Sequence, residues 1–226
     1  FKNKKLIYSS SFDDDENILN EILSFKKYSL KSSIISSVVP QLTTIYKNLI
    51  EKEFNIAPLI VNSDNSRLLL EVDEPNTIGS DRLCNIKATI ELYATPAIII
   101  DFGTATTFDV VNEQNKFIGG IIAPGIETSA KYLINKAALL HKVDFKFPKK
   151  TIGTNTKTNI QSGIMFGAID QINGLVERIN QETKKNNNVI LTGGFSKLLA
   201  PHLSFNHTLD IDLTLKGMIF INESNC

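Results

Sequence analysis

Apolar positions alternate between short runs and helical stripes over the first ninety residues. Lys5 to Phe12 is a brief β-prone stretch. Asp13, Asp14 and Asp15 behind it supply caps and first-turn acids for a helix carrying Ile18, Leu19, Ile22 and Leu23. Ser33 to Val39 is a β-branched run ended by Pro40, and a helix with Leu42, Ile45, Leu49 and Ile50 on one face follows. Ala57 to Val61 predicts another short buried strand. This βαβα rhythm argues for a sheet covered by helices. After a turn at Asp73-Glu74-Pro75-Asn76, Ser80 or Asp81 caps a helix with Leu83, Ile86, Ile90 and Tyr93, and Pro96 breaks the chain. The expected domains are therefore an N-terminal lobe with its connecting helix, 1–95, and a C-terminal lobe, 96–226.

The second half predicts a three-stranded meander: Ala97 to Asp101, Phe108 to Val111 and Lys116 to Ile122. A helix is expected from about Glu127 to Leu140, then an irregular loop over 141–155. The stripe Ile160, Ile164, Ala168, Ile172, Leu175 and Ile179 marks a long helix from about Thr156 to Thr183. A strand at Asn186 to Leu191, a short helix at Ser196 to Leu203 and an amphipathic segment at Leu213 to Ile221 complete the chain.

The 226 residues are 42% hydrophobic and 21% charged, the balance of a globular protein with a proper core. Lys+Arg and Asp+Glu are equal at 24 each, and the only arginines are Arg67, Arg82 and Arg178, which argues against a nucleic-acid partner. No apolar run reaches the roughly 20 residues that cross a bilayer, and no secretory signal opens the chain, so no membrane role is expected. Cys84 and Cys226 cannot build a disulfide framework or a zinc knuckle and read, with three scattered histidines, as reduced residues of a cytoplasmic protein. The chain begins at Phe1 and its first methionine is Met165, which predicts that residues precede it.

Two segments carry chemistry. In Asp101-Phe-Gly-Thr-Ala-Thr-Thr107 a carboxylate ends a buried strand and a Gly/Thr turn follows. Gly103 lets backbone approach a polyanion, Thr104 and Thr106 can hydrogen-bond phosphate oxygens, and Asp101 suits a cation bridging to them. Read alone, the same turn is equally a threonine-rich hairpin. In Gly79-Ser80-Asp81-Arg82, at a helix start, Asp81 can take a proton from a substrate hydroxyl while amides and Arg82 hold an anion. Local spacing alone reads there as a capped helix with a solvated arginine. Thr192-Gly193-Gly194 and Gly153-Thr154-Asn155-Thr156 are weaker signals of ligand contact. Gly163 and Gly167 each cost a helix roughly 1 kcal/mol relative to Ala, which points to a close helix neighbour, of this chain or a second subunit. Cys84 reads as core, and His202 and His207 lack partners at metal-ligand spacing. No GxxxxGK[ST], GxGxxG or Ser/His/Asp pattern is present.

In order, six stretches resemble the type III pantothenate kinases: Ser37-Val-Val-Pro40, Gly79-Ser-Asp-Arg-Leu-Cys-Asn85, Asp101 to Asp109, Gly119-Gly-Ile-Ile-Ala-Pro-Gly125, Gly153-Thr-Asn-Thr156 with Gln161-Ser-Gly163, and Leu191-Thr-Gly-Gly194. The resemblance implies an α/β protein of two similar lobes, the acetate and sugar kinase/Hsc70/actin (ribonuclease H-like) fold. It implies a homodimer that phosphorylates pantothenate from ATP to 4'-phosphopantothenate in the first step of coenzyme A synthesis, with a divalent metal (Mg2+) and a monovalent cation (K+ or NH4+). Carried over by position, Asp81 is the general base, and Gly79, Ser80, Arg82 and Thr156 contact pantothenate. Asp101 holds potassium and Thr104 contacts ATP. The chain departs from the family in three places. The family's opening strand and Asp-x-Gly-Asn-Thr phosphate turn have no match, so the first strand of the N-terminal lobe is expected to be missing. Val72 stands where a substrate-contacting tyrosine is usual, and Thr154 where a lysine is common. Two other readings stay open on these residues: a non-catalytic binding relative, and a kinase of the same fold acting on another small molecule.

Overall fold

In the computed structural model, which describes residues 1, 6–9, 16–136 and 143–225, the first lobe's sheet is small. Of the expected strand at Lys5 to Phe12, the described Leu6–Ser9 join no ladder, and the Asp13–Asp15 caps lie outside the described residues. Helix α1 (Glu16–Ser24) follows. The β-branched run contributes only β1 (Ile34–Ile35), paired in parallel with β2 (Leu59–Ile60). Pro40 opens α2 (Pro40–Phe54), where its preset φ and missing N–H cost nothing, and Asn55 in the left-handed region closes it. A single turn, α3 (Ser63–Ser66), has a reciprocal cap between Asn62 and Asn65. Helix α4 (Ser80–Leu92) buries Leu83, Cys84, Ile86 and Ala88.

The larger sheet comprises β3 (Leu69–Leu70), β4 (Ala97–Phe102), β5 (Ala105–Val111), β6 (Lys116–Pro124), β7 (Asn188–Thr192) and β8 (Thr208–Leu209), in the order β3-β6-β5-β4-β7-β8. β4, β5 and β6 are the expected antiparallel meander, and β7 runs parallel to β4 with Asp101 opposite Thr192. A parallel partner needs a crossover, supplied after α5 (Ile126–Lys136) by α6 (Thr156–Thr183). The last two helices are α7 (Ser196–Leu199) and α8 (Leu213–Glu223). Residues 137–140 of the expected Glu127–Leu140 helix and 141–142 of the expected loop lie outside the described residues.

One face of this sheet, through Ile98, Ile100, Phe102, Phe108, Val110, Val189 and Leu191, packs on Met165, Ile169, Ile172, Val176 and Ile179 of α6. Of the stripe expected, Ile172 and Ile179 are buried in this cluster, and Ile164, Ala168 and Leu175 pack against it partly buried. The helix has two apolar edges. Ile160 borders the second, which with Ile164 and Ala168 lines a cavity of about 530 Å³ together with Ile126 and Leu133 of α5.

The chain forms two units, one of Phe1–Leu68, Asp73–Glu91 and Thr214–Cys226, the other of Leu69–Val72 and Leu92–Leu213. The sequence division at residue 95 placed everything after it in one lobe. Instead, most of α8 belongs with the first unit, where Thr214 Oγ1 donates to Asn85 Oδ1 of α4 at 2.7 Å. The segment at 69–72 belongs to the second unit because it pairs with β6. The strand at 69–70 is too short for periodicity to reveal, and the periodicity of α8 does not say which unit it joins.

Candidate active site

In the first unit, α4 starts after Gly79, which has no side chain to cap it. The Leu83 N–H bonds the Gly79 carbonyl at 3.1 Å, and the exposed Asp81 carboxylate caps its own turn by accepting from the Arg82 N–H at 2.8 Å. A Cβ on Gly79 would lie 2.6 Å from Asp81 Oδ1 and 3.3 Å from Val38 Cγ1, so any larger residue displaces that carboxylate. Gly79 and Ser80 line a polar cavity of about 500 Å³ together with Ser37, Asn62, Ser63 and Asn76. Ser80 itself is buried, and its hydroxyl accepts from Ser36 Oγ at 3.0 Å.

Cys84, one turn further along α4, is core as expected. Burial pushes its thiol up to about 12, against a lowering contact from Ser36, and the Asp81 charge adds to the rise. Such a thiol is neutral and no nucleophile at physiological pH.

In the second unit, Asp101 and Thr104 share the β4–β5 hairpin. The Thr104 carbonyl accepts from the Gly125 N–H at 3.0 Å and from Thr128 Oγ1 at 2.7 Å, which ties the turn to the start of α5 and leaves Gly103 and Thr104 exposed. Beyond β7 the chain turns at Gly193, whose φ of +87° suits glycine. A Cβ there would overlap Asp101 Oδ1 and sit 2.5 Å from the Phe102 nitrogen. The half-buried Asp101 is thus cradled by backbone that only glycine permits. Ser196 Oγ donates to the Gly193 carbonyl at 2.6 Å and the Phe195 N–H reaches the Phe102 carbonyl at 3.3 Å, completing the loop.

Thr156 is the exposed first residue of α6, in the second unit. Its neighbours make the cap: Asn155 Oδ1 accepts from the Thr158 N–H at 3.0 Å, and Thr158 Oγ1 from the Asn155 N–H at 3.3 Å. Thr154 adds its N–H to Thr158 Oγ1 at 3.1 Å. Among the described residues no group of three or more His, Cys, Asp and Glu side chains is placed to hold a metal, and His202 stacks on Phe147 with ring centroids 3.6 Å apart. Two residues escaped the sequence reading. Ser36 stands one position before the quoted Ser37-Val-Val-Pro40 stretch, and Gly193 lies in a motif whose sequence gives only a weak signal of ligand contact, with no pointer to Asp101.

The family model for type III pantothenate kinase matches residues 7–178, more than half of the chain. The chain belongs to the type III pantothenate kinase family. The type III pantothenate kinase of Bacillus cytotoxicus is 40% identical over 197 residues, 87% of this chain and 75% of that protein. Among solved structures, a conserved protein assigned to the Baf family of transcriptional activators, from Campylobacter jejuni, superposes with a TM-score of 0.60 at 20% identity, covering 92% of this chain and 88% of that one. That likeness concerns the fold. Membership in the type III pantothenate kinases carries the family's activity, phosphorylation of pantothenate in coenzyme A biosynthesis. The architecture is mixed α/β, with a six-stranded sheet in the second unit.

Proposed function

We propose that Asp81 is the base of this pantothenate kinase. As the pantothenate hydroxyl oxygen attacks the γ-phosphorus of ATP, the new O–P bond forms, the bond from that phosphorus to the β–γ bridging oxygen breaks, and ADP leaves. The hydroxyl proton passes to the Asp81 carboxylate. The observation that carries this reading is the exposed Asp81 carboxylate, set by the Arg82 N–H and by the missing Cβ of Gly79, at a helix start beside a polar cavity. Gly79, Ser80, Arg82 and Thr156 bind pantothenate in this reading, Arg82 offering the positive charge its carboxylate requires.

Thr104 contacts ATP, on a turn immobilised through its own carbonyl. Asp101 fits a monovalent cation: its half-buried carboxylate supplies a single negative charge and oxygen ligands. Such a cation neutralises phosphate charge, and Mg2+ arrives with ATP, in keeping with the absence of an acidic cluster among the described residues.

Two further features complete the proposal. A Cβ on Gly163 or Gly167 would meet nothing within 4 Å, so the second edge of α6 is open to a second copy of the chain in a homodimer. No helix among the described residues is long and apolar enough to cross a membrane. In this reading the kinase works in the cytoplasm, where it draws on ATP.

The test is ATP-dependent phosphorylation of pantothenate in potassium buffer, wild type beside Asp81→Asn. Turnover by the wild type and a loss of at least about 100-fold in the variant, with unchanged circular dichroism, is expected for removal of a general base. Wild-type-like turnover in Asp81→Asn removes that residue from the role.

A further inference from the structure

Ser36 interrupts a β-branched run at a place where Val would suit a strand as well, and its position explains why a hydroxyl stands there. It directly follows β1, whose last carbonyl, on Ile35, is fixed by the Val61 N–H at 2.9 Å. From that anchored point its hydroxyl donates to Ser80 Oγ at 3.0 Å, across 44 residues of chain. Ser80 is buried and immediately precedes Asp81, so this bond holds the first turn of α4 sideways against the sheet. Gly79 adds no side chain there, and the Arg82 N–H bond to Asp81 lies within the turn itself. The Cys84 thiol, one turn on, senses both Ser36 and the Asp81 charge, which places all three around one turn of helix.

We infer that Ser36 is a positioning residue for phosphoryl transfer, acting through Ser80 to hold the Asp81 carboxylate at the acceptor hydroxyl. The inference rests on the reading of Asp81 as base. A displaced base slows the chemical step and leaves the nucleotide site in the other unit untouched, because a catalytic group must sit within hydrogen-bond reach of the proton it takes. The geometry needs a hydroxyl at position 36, and Thr supplies one as well as Ser.

The experiment is steady-state kinetics on Ser36→Ala, Ser36→Thr and Asp81→Asn, with thermal unfolding of each. Loss of the one hydrogen bond is expected to lower kcat by about 5- to 10-fold in Ser36→Ala with KM for ATP unchanged, and Ser36→Thr is expected to restore it. Should Ser36→Ala not fold, Ser36→Val removes the same hydroxyl in the shape of Thr and is read in its place. Wild-type kcat in Ser36→Ala overturns the inference. So does a Ser36→Thr variant as slow as Ser36→Ala, or a fall in kcat accompanied by an equal rise in KM for ATP, the mark of general loosening. An inactive Asp81→Asn beside a normal Ser36→Ala overturns the positioning role alone. An active Asp81→Asn overturns the base reading and this inference with it.

Discussion

Gly193 lies against Asp101 at the ends of neighbouring parallel strands, so closely that a single added methyl would overlap the carboxylate oxygen. Gly193→Ala must therefore move Asp101 or the Phe102 backbone, and must also hold alanine at a φ of +87°. The expected cost is about 1–3 kcal/mol of stability, with a raised KM for ATP. Thermal unfolding and an ATP titration check both. Normal values for the two would show that the loop yields without disturbing Asp101.

Asp101 is assigned the monovalent cation, and the assignment predicts a selective defect. The wild type is expected to turn over faster in potassium or ammonium than in sodium. Asp101→Asn, which keeps the shape and loses the charge, is expected to be slow in all three by about 10-fold or more relative to wild type in potassium. Initial rates in the three chloride salts at equal ionic strength decide it, and a wild type indifferent to the cation would count against Asp101.

Cys84 makes stability depend on alkaline pH. Its thiol is held up from an ordinary 9.0 to about 12, chiefly by burial. Above about pH 9 the unfolded chain releases this proton and the folded one retains it. The unfolded state then binds fewer protons, and stability falls as pH rises through the window from 9 to 12. Burial also raises the Tyr93 hydroxyl, which donates to Asp210 at 2.7 Å, and this adds loss of the same sign at the upper end of the window. Urea unfolding at pH 8 and pH 10.5 should show a drop of about 1–2 kcal/mol that Cys84→Ala reduces. Equal slopes in the two proteins would mean that the thiol does not contribute.

The open edge of α6 predicts an assembly. If Gly163 and Gly167 meet a second copy, Gly167→Leu fills space that copy needs, and its Cβ meets nothing within 4 Å in its own chain. The wild type should sediment as a dimer at micromolar concentration, with a buried interface of about 1,200 Å² or more, and the variant as a monomer. A dimeric variant would move the interface elsewhere.

The meander, the long helix and the glycine-started helix α4 were legible residue by residue. Each depends on a local pattern: β-branched runs bounded by turns, a three-to-four spacing, or a helix entered through Gly79-Ser80-Asp81. The assignment of α6's buried face was legible only in part. A 28-residue helix with two apolar edges has the same periodicity whichever edge meets the sheet, and the choice depends on the sheet it packs against. The two-residue strands β3 and β8 escaped for a related reason, since two residues show no alternation.

For the site, the residue types and their order along the chain were enough to name Asp81, Asp101, Thr104 and the glycines around them, and to point to the family. The sequence alone could not reveal which distant atoms hold those groups. The Ser36–Ser80 bond spans 44 residues, and the approach of Gly193 to Asp101 arises from the parallel pairing of β7 with β4. Contacts of this kind follow from register and packing, and those free energies are shared across the whole fold. No window of sequence contains both partners, so only the tertiary structure decided them.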